Sequence, residues 1–188
     1  MATPPRFQVL HCLRNRVKGG KSLFVDALYA AQSLSAEDVE VLSTTPVAFH
    51  YENDKHHCYG SHPTLELAAP GPFVAGATLA NGRVLAHVNY SPPFQAPLPP
   101  DTPPAFFPAF ARFEALLARP EARFEYRLQE GDAVLFDNRR MFHARGPFEE
   151  APTGPNAVHD RWLKGGYFEA DEVLDNRRML LRKLTVPT

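Results

Sequence analysis

Two residues in the C-terminal third of the chain have side chains that together could build a site. His143 lies in GDAVLFDNRRMFHAR (131–145), where a short apolar run meets a polar turn, and Arg161 opens RWLKGGYF (161–168), 18 positions later (161 − 143). A neutral imidazole is a good ligand for a ferrous ion, and a guanidinium can grip a carboxylate through two parallel hydrogen bonds. A metal ligand and a carboxylate clamp at one barrel mouth are what a metal-chelating dicarboxylate requires. Alone the pair is a weak signal, because a solvated loop histidine reads the same way.

The elements that must position them are short. Strands are expected at Phe7–Leu13, Ser22–Val25, Val47–Tyr51, Pro63–Leu67, Arg123–Leu128, Ala133–Phe136 and Arg161–Phe168. Asn81–Gly82 marks the turn of a hairpin over Leu79–Asn89. Asp26 can cap a helix over Ala27–Leu34, and Ser35-Ala-Glu-Asp opens another through Leu42. Phe106, Phe110, Phe113, Leu116 and Leu117 fall on one face of a helix over Ala105–Leu117, and Asp171–Leu181 reads as a last helix. Glu52–His62 is polar and histidine-rich and reads as a connecting loop, while the prolines of 91–104 exclude helix interior and central strand. The expected fold class is therefore mainly β with flanking helices, a barrel or sandwich, in a single domain over residues 1–188.

Composition narrows the partners. The 188 residues carry 20 basic and 21 acidic side chains, a formal charge of −1, with no basic face to suggest nucleic acid. No apolar run approaches 18 residues, so no membrane partner is expected. Two cysteines without a CxxC spacing suggest neither a disulfide framework nor a zinc knuckle. A small-molecule substrate and a reducing compartment follow as expectations, cytoplasmic with a mitochondrial setting left open; homodimer formation is also open.

The stretches GDAVLFDNRRMFHAR and RWLKGGYFEADEV, with FQVLHCLRNRVKGGKSLFVDALYAAQSL and NYSPPFQAP upstream, resemble the Fe(II)/2-oxoglutarate-dependent dioxygenases of the taurine dioxygenase superfamily. Within it they are most similar to the γ-butyrobetaine/trimethyllysine hydroxylase branch of carnitine biosynthesis. The resemblance implies a double-stranded β-helix (jelly-roll, cupin-like), Fe(II) as cofactor and 2-oxoglutarate as co-substrate. It places His143 as the distal histidine of the iron triad and Arg161 on the far carboxylate of 2-oxoglutarate. Ser22, in GGKS, falls where relatives bond the same carboxylate. Tyr167 falls where an aromatic ring faces a trimethylammonium group, which offers no N–H and must be recognised by a π face. Asp137 and Asn138 are implied to fix the turn that presents His143.

The same resemblance implies a His-x-Asp or His-x-Glu pair before the strand PPRFQVLHC (4–12), and no such pair stands there. The chain's His-x-acid pair is His50-Tyr51-Glu52, a substitute that strand alternation does not forbid. His56, His57 and His62 have no zinc-finger spacing, His87 and His159 have no local partner, and His11 reads as a packed strand residue. The expectation is thus an incomplete double-stranded β-helix, the C-terminal portion of a catalytic domain. Its intact parent would hydroxylate a small, trimethylammonium-type substrate with succinate and CO2 as co-products. The chain as given is expected to be weak or inactive. The rival reading is a non-catalytic homologue that binds a dicarboxylate or a protein partner.

Overall fold

A computed structural model describes residues 4–53, 55–69, 76–149 and 160–185. Eleven strands and four α-helices run in the order β1 (Phe7–Asn15), β2 (Ser22–Asp26), α1 (Ala27–Ala31), α2 (Ala36–Thr44), β3 (Pro46–Asn53), β4 (His56–Pro63), β5 (Leu65–Leu67), β6 (Ala77–Thr78), β7 (Val84–Val88), α3 (Phe106–Leu117), β8 (Arg123–Tyr126), β9 (Ala133–Asp137), β10 (Met141–Arg145), β11 (Arg161–Phe168) and α4 (Ala170–Thr185). Among these residues the strands form sheets in the orders β11-β1-β9, β10-β2-β8, β3-β4 and β5-β7-β6. The chain divides into two compact units: residues 24–124 with 139–142, and residues 5–23 with 125–138 and 143–188.

The first unit holds the apolar core. α3 buries Phe106, Ala109, Phe113 and Leu116 along one stripe, against Val39 and Leu42 of α2, Leu65 of β5 and Leu85 of β7. The aromatic spacing that marked α3 in the sequence is this stripe. Asp26 caps α1 by accepting from the Tyr29 N–H, and Ser35 caps α2 by accepting from the Asp38 N–H, as their residue types dictate. At the predicted hairpin turn Gly82 takes a φ of +76°, a left-handed angle that glycine adopts without strain.

Residues 52–62 overturn one expectation. They are not a connecting loop: β4 pairs with β3 from Pro46↔Pro63 through His50↔Tyr59 to Asn53↔His56. The polar composition misled because the far end of the ribbon, beyond Val47 and Phe49 that pack into the core, is largely exposed and needs no apolar alternation; the backbone ladder pairs it. His11 also departs from its reading, since it is exposed on β1 rather than packed. His87 sits opposite Glu66 across β5 and β7; burial opposes the Glu66 charge, and Arg139 outweighs it and holds that carboxyl below its ordinary value. His159 lies outside the described residues.

Asp38, 4% exposed, is held by Arg112 of α3, whose Nε lies 2.9 Å from Oδ2. That hydrogen bond keeps the Asp38 carboxyl below its ordinary value against the opposing effect of burial. A folded-state pKa below the unfolded value of about 3.9 means the contribution is fully present above that pH and is lost progressively as pH falls below it and through the folded-state pKa. Urea midpoints measured from pH 6 to pH 3 should therefore converge between the native chain and Asp38→Asn. A gap that stays constant down to pH 3 would remove Asp38 as the cause.

Candidate functional site

The second unit is built on β1, which pairs antiparallel with β11 on one side and β9 on the other. Directly opposed residues of an antiparallel pair project to the same face. Gln8 therefore lies between Tyr167 and Phe136, and Leu10 between Gly165 and Val134. A bulge between Cys12 and Arg14 resets the register and brings Asn15 opposite Arg161. One face thus carries Arg161, Leu163, Gly165 and Tyr167 beside Asn15, Cys12, Leu10 and Gln8. Trp162 falls on the other face, 59% exposed, as alternation along the strand required.

At one end of this face stands Arg161. Its Nε is buried and has no hydrogen-bond partner. Burial, and then the like charge of Arg145, push its pKa down. A desolvated guanidinium near a second arginine is a place prepared for an anion. The loop of GGKS closes over it: the Gly20 N–H donates to the Pro147 carbonyl at 2.8 Å, and Gly20 sits at a φ of +65°. A Cβ at Gly20 would come 3.3 Å from the Arg161 Nε, so glycine leaves the guanidinium its room. Two residues on, Ser22 opens β2 and is buried. Arg145 lays its guanidinium over the Phe148 ring, 4.4 Å from its centroid.

His143 lies on β10, a strand where the sequence had suggested a turn. Its ring stands 5.1 Å from that of Phe136, tilted by 55°. The residue keeps solvent access, yet the protein on its inner side desolvates the imidazole and lowers its pKa. Near neutral pH the ring is uncharged with a free lone pair, the form that binds a metal. Asp137 accepts from Arg6 Nε at 3.0 Å, and Asn138 donates to the Pro5 carbonyl at 3.4 Å. Both side chains thus fasten the entry to β1.

The two groups implied by the sequence fit unequally. For 2-oxoglutarate, a half-buried arginine whose Nε is buried and unpaired beside a glycine cradle suits a carboxylate. For iron, His143 is one ligand, and no group of three His, Cys, Asp or Glu among the described residues could hold a metal ion. The substitutes His50 and Glu52 lie on β3 in the first unit, both exposed. The described residues do not by themselves make an iron centre. Tyr167, 60% exposed, offers an open ring. Sequence reading missed Gln8 and Asn15, both buried; the available signal was a polar residue inside FQVLHCLRN and one at its end.

The family model "Taurine catabolism dioxygenase TauD, TfdA family" matches residues 1–167. The chain is 52% identical to dioxygenase str8 of Strobilurus tenacellus over 94% of its length and 40% of that protein's. It is 32% identical to the γ-butyrobetaine dioxygenase of Pseudomonas sp. (strain AK-1), covering 95% of this chain and 43% of the relative. With human mitochondrial trimethyllysine dioxygenase it shares 30% identity, over 94% and 40% of the two chains. The chain thus spans less than half the length of these relatives. Among solved structures, the non-heme iron oxygenase OrfP with Fe and α-ketoglutaric acid superposes with a TM-score of 0.57 at 22% identity, over 94% of this chain and 49% of that one. An asparagine oxygenase with Fe(II), 2S,3S-3-hydroxyasparagine and succinate gives 0.60 at 18% identity, over 88% and 45%. These likenesses establish the jelly-roll fold that the family resemblance implied, within the mainly β class that the strand pattern led us to expect. The chain belongs to the TauD/TfdA dioxygenase family.

Proposed function

We propose that these 188 residues are the C-terminal portion of an Fe(II)/2-oxoglutarate-dependent dioxygenase catalytic domain and carry its co-substrate clamp. The observation that supports this best is the buried, unpaired Nε of Arg161 beside Gly20. Arg161 holds the far carboxylate of 2-oxoglutarate, with the Ser22 hydroxyl donating to the same group. His143 contributes one metal ligand from the wall beside Phe136. The whole protein's reaction adds one oxygen atom to a small cationic substrate and the other to 2-oxoglutarate, which leaves as succinate and CO2. Tyr167 supports a trimethylammonium substrate, because an accessible ring attracts a cation that cannot donate a hydrogen bond.

A second reading, a homologue that binds 2-oxoglutarate without turnover, is favoured by the absence of a three-ligand metal group among the described residues. Succinate release by the chain, supplied with Fe(II), 2-oxoglutarate and oxygen, separates the two. Release above a His143→Ala control supports catalysis. Saturable 2-oxoglutarate binding with no succinate supports the binding module, and failure to bind 2-oxoglutarate defeats both. For the setting, no described helix is long and apolar enough to cross a membrane. We place the protein in the cytoplasm on its free thiols.

A further inference from the structure

The second unit ends in a helix whose apolar stripe stands in water. Every side chain of α4 from 175 to 184 is exposed, Leu180 by 60% and Leu184 by 81%. Val173, Leu180, Leu181 and Leu184 fall on one side of the helix, and a groove of about 480 Å³ runs along them from Phe168. A helix of this length is marginal in water by itself, and most helical stability comes from packing such a stripe against a partner.

The charges along α4 point to what covers it. Its first half carries Asp171, Glu172 and Asp175, and its second half Arg177, Arg178, Arg182 and Lys183. That order suits the helix dipole, which accounts for the charges but not for the exposed leucines among them. It also makes the helix complementary to a reversed copy of itself. Glu172 and Lys183 are eleven residues apart (183 − 172), about three turns, so they flank the same edge of the stripe. In an antiparallel pair Glu172 faces the partner subunit's Lys183, and Lys183 faces the partner subunit's Glu172. The same register sets Val173 against the partner subunit's Leu184, and Arg177 against the partner subunit's Leu180. Arg177 then keeps its apolar stem in the seam and its charged end in water. A parallel pair would set like charges together at both ends. An anionic membrane surface is disfavoured by the three acids of the first half.

We propose that α4 is a self-association surface, on which two copies of this chain pair antiparallel about a twofold axis. A twofold contact must be self-complementary, and here both the apolar stripe and the flanking charges are. Leu184, whose side chain meets least of its own chain, enters the groove beside the partner subunit's Phe168. One helix from each copy makes a small interface, so the association is weak, with half the chains paired at about 10–100 μM. The pairing does not depend on the 2-oxoglutarate reading, since Arg161, Ser22 and His143 all lie outside α4.

Sedimentation equilibrium of the 188-residue chain from about 1 μM to about 1 mM should show a monomer–dimer equilibrium. Leu184→Glu should weaken it at least about 100-fold, because each dimer loses two covered leucines and sets new acids beside Glu172. At the dilute end its melting temperature should match the native chain's, as befits a side chain 81% exposed. Glu172→Lys and Lys183→Glu should each weaken self-association about threefold to tenfold. An equimolar mixture of those two variants should recover the native affinity as a heterodimer. A native chain that stays monomeric, a dimer indifferent to Leu184→Glu, or charge variants that self-associate as well as the native chain would each overturn the proposal. So would a lower melting temperature for dilute Leu184→Glu, which would show that Leu184 packs within its own chain. A monomer that binds phosphatidylserine vesicles would give the stripe to a membrane instead.

Discussion

Replacing Arg161 by methionine should weaken 2-oxoglutarate binding more than 100-fold, by about 3 kcal/mol, while the fold survives. The Nε is already buried and unpaired before any ligand arrives. The desolvation cost of the guanidinium is thus already met in the folded chain, and the carboxylate gains a nearly full charge-assisted pair. Methionine keeps much of the stem's volume and removes the charge, so a loss of affinity reports the pair and not a cavity. Gly20→Ala is the companion: its methyl would press on the same Nε at 3.3 Å and must hold a φ of +65°, so affinity should fall there too. Titration calorimetry with the two variants checks both. Unchanged affinity in Arg161→Met would remove the clamp from the account.

Phe113→Ala should destabilise the first unit by about 3–5 kcal/mol, a large share of the roughly 5–15 kcal/mol that holds a domain together. Phe113 is fully buried and meets Tyr90 edge-on, with ring centroids 6.3 Å apart. Tyr90 in turn stacks on Phe142 at 5.3 Å, and its hydroxyl donates to Glu114 at 3.0 Å. Burial and that carboxylate push the Tyr90 pKa up to about 12. Truncation at 113 leaves a cavity under this stack that neighbouring strands cannot fill. Phe107→Ala, six residues earlier on α3 and 53% exposed, should cost little. Equal urea midpoints for the two variants would show that the α3 stripe is not where the first unit's stability resides.

Elements whose side chains alternate or recur with a strong period were legible in the sequence. β11 starts at Arg161 and ends at Phe168 as expected. α3 was legible from five apolar residues on one helical face. β4 was not, since its strand character comes from pairing with β3 and not from its own residues. β10 hid for the same reason: MFHAR has no alternation of its own, so His143 could be identified while its strand could not. Arg161 and Ser22 were singled out through motifs, and the structure buries Ser22 and the Nε of Arg161. Gln8 and Asn15 became visible only when the register of β1 against β11, with its bulge after Cys12, showed which face they share. Burial of a polar atom is a property of three strands together, which no local window of sequence carries.

The central claim is that this chain holds the co-substrate half of a dioxygenase site with one iron ligand in place. Anaerobic addition of Fe(II) to the 188-residue chain saturated with 2-oxoglutarate tests it most directly, read as the visible charge-transfer band of a metal-bound keto acid. The account predicts saturable 2-oxoglutarate binding, lost in Arg161→Met, with no such band. A band of full intensity that disappears in His143→Ala would contradict it, and His50 and Glu52 would be the first residues to substitute in search of the remaining ligands.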